Sequence, residues 1–128
     1  MRRTLPRATA ALALAGLLLV AAACVPQSDI PTDCDASQVE RTATLTDGGL
    51  EPDGFEVCIG QEVTITIDVQ RAGELHLHGY EDQVPEQEVA VGDEAKLAFT
   101  ASSAGQFPLE LHTGQDEIEI AILTVHER

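Results

Sequence analysis

His76 and His78 are two residues apart in the segment Glu74-Leu75-His76-Leu77-His78. If this segment is extended, residues two apart share a face, so both imidazoles point the same way. With Leu75 and Leu77 turned into a core, His76 and His78 turn outward. The same count over Phe107-Pro108-Leu109-Glu110-Leu111-His112 turns Leu109 and Leu111 inward and Glu110 and His112 outward. Three imidazoles with an open fourth position suit copper(II) or zinc(II). The candidate metal ligands are therefore His76, His78 and His112, with Glu110 beside them. The competing reading is an exposed pair that is solvated, or that hydrogen-bonds to Tyr80 and Glu81. His126 lies two residues from the end of the 128-residue chain and reads as solvated.

Three cysteines offer thiol chemistry: Cys24, Cys34 and Cys58. The first closes a segment with the layout of an export signal. Arg2, Arg3 and Arg7 make a basic start, and Ala10–Ala23 is an uninterrupted apolar run of 14 residues. A spanning helix needs about 20, so a cleaved signal fits better than a permanent anchor. Val20-Ala21-Ala22-Ala23-Cys24 resembles a bacterial lipobox, although Ala21 stands where that motif prefers Leu. The resemblance implies cleavage before Cys24 and diacylation of its thiol. Ala21-x-Ala23 also fits an ordinary signal peptidase, which would release a soluble protein. Export places Cys34 and Cys58 in an oxidising compartment, where cysteines pair as disulfides. A loop of 24 residues between them is worth about 3 kcal/mol in the chain-entropy account. A pair of metal-binding thiolates is the alternative, but neither cysteine has a second Cys or His at ligand spacing.

The charge balance limits the partners. The chain has 22 acidic and seven basic residues, a net charge of −15. Beyond residue 23 the basic residues are Arg41, Arg71, Lys96 and Arg128, so the net charge there is −18. Such a surface repels nucleic acid and anionic lipid and favours cations or basic partners. No serine lies in a nucleophile-elbow context and there is no glycine-rich phosphate loop. The chain therefore reads as a non-enzyme. Asp116, Glu117 and Glu119 lack the glycine-punctuated loop of a calcium site.

The elements that must carry the histidines read as β-strands. Val63, Ile65, Ile67 and Val69 alternate with Thr64, Thr66 and Asp68, the pattern of a half-buried strand. Shorter runs of this kind lie at Thr42–Thr44, Phe55–Ile59, Leu75–His78, Val89–Val91, Lys96–Thr100, Phe107–His112 and Ile118–Val125. Turn signals separate them, and no 3.6-residue stripe is present. Seven to eight short strands cannot bury their apolar sides in one flat sheet, so two packed antiparallel sheets are expected. Residues 25–37 carry Pro26, Pro31 and several Asp without periodicity and read as a polar tether.

This succession resembles a cupredoxin-like domain over residues 40–126. Thr44–Gly60 reads TLTDGGLEPDGFEVCIG and leads into QEVTITIDV. ELHLHGY then supplies a histidine-bearing strand, AGQFPLELH resembles the segment that delivers the copper thiolate in blue copper proteins, and AILTV resembles the closing strand. The resemblance implies a Greek-key β-sandwich and a meeting of the two histidine strands near a metal pole. It also implies that Leu111 stands at the thiolate position, with the second histidine position near Asp116 and the axial one near Glu119 or Ile120. None of these is a blue-copper ligand, so no type 1 copper is expected. The HxHGY element with the later FxxELH resembles a subgroup found in exported bacterial proteins.

The sequence thus divides into a lipoprotein signal peptide over 1–23, a lipid-attachment Cys24 with a tether over 24–38, and a cupredoxin-like domain over 39–128. The expected address is the cell membrane, lipid-anchored and outside the cytoplasm. The expected function is binding of copper or another divalent metal through the histidine cluster. The alternative is a metal-free interaction module of the envelope that binds a basic protein partner.

Overall fold

The computed structural model describes residues 33–128. The expected signal peptide, Cys24 and the tether as far as residue 32 lie outside the described residues. Nine strands make up the described part: β1 (Gln38–Thr46), β2 (Gly49–Glu51), β3 (Gly54–Cys58), β4 (Glu62–Val69), β5 (Gly73–Leu77), β6 (Gln87–Val89), β7 (Glu94–Thr100), β8 (Gly105–Thr113) and β9 (Asp116–His126). They form two sheets, one in the order β2-β1-β4-β7 and the other in the order β3-β9-β8-β5-β6. The core lies between them and is built by alternation. Val63, Ile65, Ile67 and Val69 of β4 are buried, as are Ala95, Leu97 and Phe99 of β7. Leu75 and Leu77 of β5 and Leu109 and Leu111 of β8 face them from the other sheet. Full burial of each such side chain contributes about 1.5–3 kcal/mol.

The structure departs from the sequence expectations in four respects. Strand β2 brings the count to nine rather than seven or eight, because the chain turns back after Thr46 and buries Leu50. The sheets are mixed, not antiparallel throughout: β1 runs parallel to β4 and β3 runs parallel to β9. The chain leaves the first sheet after β2, adds β3 to the second, and returns as β4 on the far side of β1; parallel neighbours such as β1 and β4 need a crossover connection of this kind. Val91 lies beyond β6 in an exposed turn. Ile122 faces outward, because a bulge in β9 resets the alternation there. Leu109 pairs with Ala121 and Glu110 with Glu119, which leaves Ile120 as the extra residue. Ile120 and Ala121 are consequently both buried, and the inward phase continues through Leu123 and Val125.

The domain also takes in the stretch Asp33–Ser37, which reads in sequence as the end of the tether. Cys34 is disulfide-bonded to Cys58, with Cα atoms 5.4 Å apart. Gln61, fully buried, clamps the same stretch. Its Nε2 donates to the carbonyls of Asp33 at 2.8 Å and Ala36 at 3.0 Å, while its Oε1 accepts from the Cys58 N–H at 2.7 Å. Arg41 pairs with Asp33 at 2.9 Å. These partners tie an otherwise irregular segment to the sandwich and satisfy the Asp33 and Ala36 carbonyls.

Candidate metal site

Strands β5 and β8 position the histidines by their register. They are antiparallel neighbours, with His76 opposite Glu110 and His112 opposite Glu74. The buried leucines of both strands fix which face looks inward, so all four polar side chains share the outer face. Diagonal neighbours on such a face lie within reach of long side chains. His76 therefore meets His112 across the pair, with ring centroids 5.4 Å apart, and His76 and His78 lie 4.0 Å apart along the strand. The resemblance pointed to a meeting of strand ends at a pole. The residues instead gather on the outer face of the sheet.

His78 sits one residue beyond β5. Its N–H donates to the Pro108 carbonyl at 3.0 Å, and Pro108 has no N–H to return, so the ladder ends there. The chain then turns through Gly79, which has φ of 80°. A Cβ at Gly79 would lie 2.6 Å from Phe107 Cδ1, so the position also requires the absence of a side chain. Tyr80 drops into the core against Phe99 and Phe107, with centroids 4.6 and 4.9 Å away. It packs beneath the site and is not a partner of the histidines. The turn returns Glu81 to the face, where its Oε1 accepts the Gly79 N–H at 3.1 Å and lies 3.3 Å from His76 Nε2.

Carboxylates and imidazoles are interleaved across the face. Glu110 Oε2 lies 2.9 Å from His78 Nε2 and 3.3 Å from His112 Nε2. Glu86 Oε1 lies 3.3 Å from His76 Nδ1, and Glu74 Oε1 lies 3.8 Å from His112 Nδ1. The hydrogen bond to Glu110 raises the His78 pKa above its ordinary 6.5, against the lowering effect of burial. The Glu110 carboxyl is held below its usual range mainly by His78, with His112 adding to the effect. Glu81 is held low chiefly by its own N–H and that of Gly79. A carboxylate so stabilised remains charged and available to a cation.

Three groups among the described residues bring ligand atoms within 4.8 Å of one another: His76, Glu110 and His112; His76, His78 and Glu81; and Glu74, Glu86 and His112. No group contains all three histidines, so the expected three-imidazole set is divided between two of them. The donor chemistry of imidazole and carboxylate suits copper(II) or zinc(II). His76 Nδ1 is buried and, although Glu86 Oε1 lies 3.3 Å away, the alignment makes no hydrogen bond, so this nitrogen can turn to a metal. Sequence reasoning misses Glu74 and Glu86. Glu74 was legible, two residues before His76 on the same strand face. Glu86 reaches the face through the path of the 78–86 connection, which has no periodic signature. His126 is not free in solvent but pairs with Glu56 on the neighbouring strand β3. At the positions of the blue-copper set, Leu111 is fully buried in the core, Asp116 and Glu119 are exposed, and Ile120 is buried.

No protein-family model matches the chain, and no curated protein sequence matches it. Solved structures match its fold. A copper binding protein, solved in the apo form by NMR, is 14% identical with a TM-score of 0.54, over 71% of this chain and 90% of that one. The metal binding domain of the Streptococcus pneumoniae Cu(I)-exporting P-type ATPase CopA is 17% identical with a TM-score of 0.52, over 71% and 88%. The blue copper oxidase of Nitrosomonas europaea is 17% identical with a TM-score of 0.59, and this chain spans 39% of its length. At such identities the likeness is one of fold: the domain is an all-β, cupredoxin-like sandwich.

Proposed function

We propose that the protein is a membrane-tethered cupredoxin-like domain that binds copper(II), or another divalent metal such as zinc, for handling or delivery. The observation that carries this reading is the grouping of His76, Glu110 and His112 within 4.8 Å on one sheet face. Copper-binding solved structures of the same fold support it, though their ligands are their own. The tether would be diacylated Cys24, which holds the domain at the cell membrane outside the cytoplasm. No type 1 centre is part of the proposal, because Leu111 offers no thiolate and the only methionine is Met1. Nor is an enzymatic step proposed.

Titration of the metal-free protein with copper(II) and zinc(II) tests the reading. Tight binding that is lost in a His76→Ala/His112→Ala variant is expected, and affinity unchanged by that variant would exclude it. Labelling with radioactive palmitate during expression, lost in Cys24→Ser, tests the anchor. One observation favours a second reading as an interaction module for a basic protein: the outer face also carries Glu88, Glu117 and Glu119, opposite Glu74, His112 and Glu110 respectively. Capture of a basic envelope protein that is salt-sensitive and indifferent to chelator would favour that reading.

A further inference from the structure

The three ligand groups share residues in a particular way. His76 belongs to the central group with Glu110 and His112 and to one outer group with His78 and Glu81. His112 belongs to the central group and to the other outer group with Glu74 and Glu86. The two outer groups have no residue in common. We infer that the face takes two divalent ions, and that the second ion draws the first out of the central group. One ion sits on His76, Glu110 and His112. Two ions sit on His76, His78 and Glu81, and on Glu74, Glu86 and His112. The inference rests on the metal-binding reading above.

Charge favours double occupancy. Glu74, Glu81, Glu86 and Glu110 bring four negative charges to the face, and two dications balance them, whereas one leaves a net charge of −2. The rings are already placed for the exchange. His112 directs Nε2 toward Glu110 at 3.3 Å and Nδ1 toward Glu74 at 3.8 Å. His76 holds Nε2 3.3 Å from Glu81 of its outer group and lies beside His112 of the central group, with ring centroids 5.4 Å apart. Moving an ion between groups therefore needs side-chain rotation and no change in the strands. The central group fills first because its three residues are half-buried, whereas each outer group must order one exposed carboxylate, Glu81 or Glu86. An open groove of about 650 Å³, lined in part by Glu74, Glu88, Asp93 and His112, gives the second ion access to its group.

The test is titration of the metal-free full chain with copper(II), with bound copper counted by native mass spectrometry and copper–copper coupling read by electron paramagnetic resonance. An isolated copper signal is expected with one ion bound, and a coupled pair with two. Glu74→Gln/Glu86→Gln is expected to weaken the second binding event about tenfold or more, and by a clearly larger factor than the first. Glu110→Gln is expected to weaken the first by a similar factor while the coupled pair still forms. Absence of any bound copper overturns the metal-binding reading itself. A single copper at every excess leaves that reading standing and overturns the inference. So does a second copper that persists in Glu74→Gln/Glu86→Gln, or a coupled pair that disappears in Glu110→Gln.

Discussion

Glu110 joins two histidines through one oxygen, and its protonation is tied to theirs. Because the His78 pKa is raised on folding, its stabilising contribution is full below the ordinary imidazole value of 6.5 and fades as pH rises through the raised value. Glu110 is lowered, so its contribution is full above the ordinary carboxyl value of 4.5 and fades as pH falls through the lowered value. Both are present together between those two values. The metal-free protein is therefore expected to gain stability from this pair in mildly acid solution. Glu110→Gln should remove the gain, measured as the pH dependence of the urea midpoint. The loss should stay below about 1 kcal/mol, because both side chains retain contact with water. Gly79 is a stricter constraint. Gly79→Ala forces a positive φ on a residue with a Cβ and drives that Cβ into Phe107. A loss of about 1–3 kcal/mol in chemical unfolding is expected, with the turn that presents Glu81 disturbed and metal affinity reduced alongside.

At the scale of elements, the strands were legible and their partners were not. Alternation in Val63–Val69 and Leu109–His112 reads directly, since one face meets water and the other does not. The same count placed His76, His78, Glu110 and His112 on the outward side without knowledge of the pairing. The parallel pairings of β1 with β4 and β3 with β9 depend on where the chain crosses between sheets, and no local pattern encodes a crossover. The phase reset at Ile120 was hidden because Ile118, Ile120 and Ile122 suggest one uninterrupted face, and the bulge appears only once β8 is set against β9. Gln61 gave no signal either: a glutamine after a glycine turn reads as surface, yet it is the one buried polar side chain among the described residues. Gln61→Leu should leave the Cys58 N–H without its partner and remove one donor each from the Asp33 and Ala36 carbonyls, which keep the Ala36 N–H and Arg128 respectively, and cost about 2–3 kcal/mol. Reduction of the Cys34–Cys58 disulfide should cost about as much. If the two share one structural unit, thermal unfolding of Gln61→Leu under reducing conditions should show a combined loss that differs from the sum of the separate losses.

For the whole molecule, charge sets the behaviour in solution. Seven basic residues stand against 22 acidic ones, and three of the basic residues fall within the first seven positions. The folded domain therefore repels itself, and added salt should relieve that repulsion. The thermal midpoint of the metal-free protein is expected to rise with sodium chloride; a fall would mean that ion pairs such as Arg41–Asp33 outweigh the repulsion. Metal binding should give a larger rise at low salt than at high salt. The same molecule brings the two ends of its described chain together. The Ile59 N–H donates to the His126 carbonyl at 2.9 Å, and Arg128 reaches the Ala36 carbonyl at 3.4 Å. Entry and exit of the domain thus lie side by side, while β5 stands three strands away from β3, about 14 Å at ordinary strand spacing. A domain with adjoining ends can be spliced into a loop of another protein without spreading that loop. Grafted in this way, it would keep its histidine cluster clear of the splice.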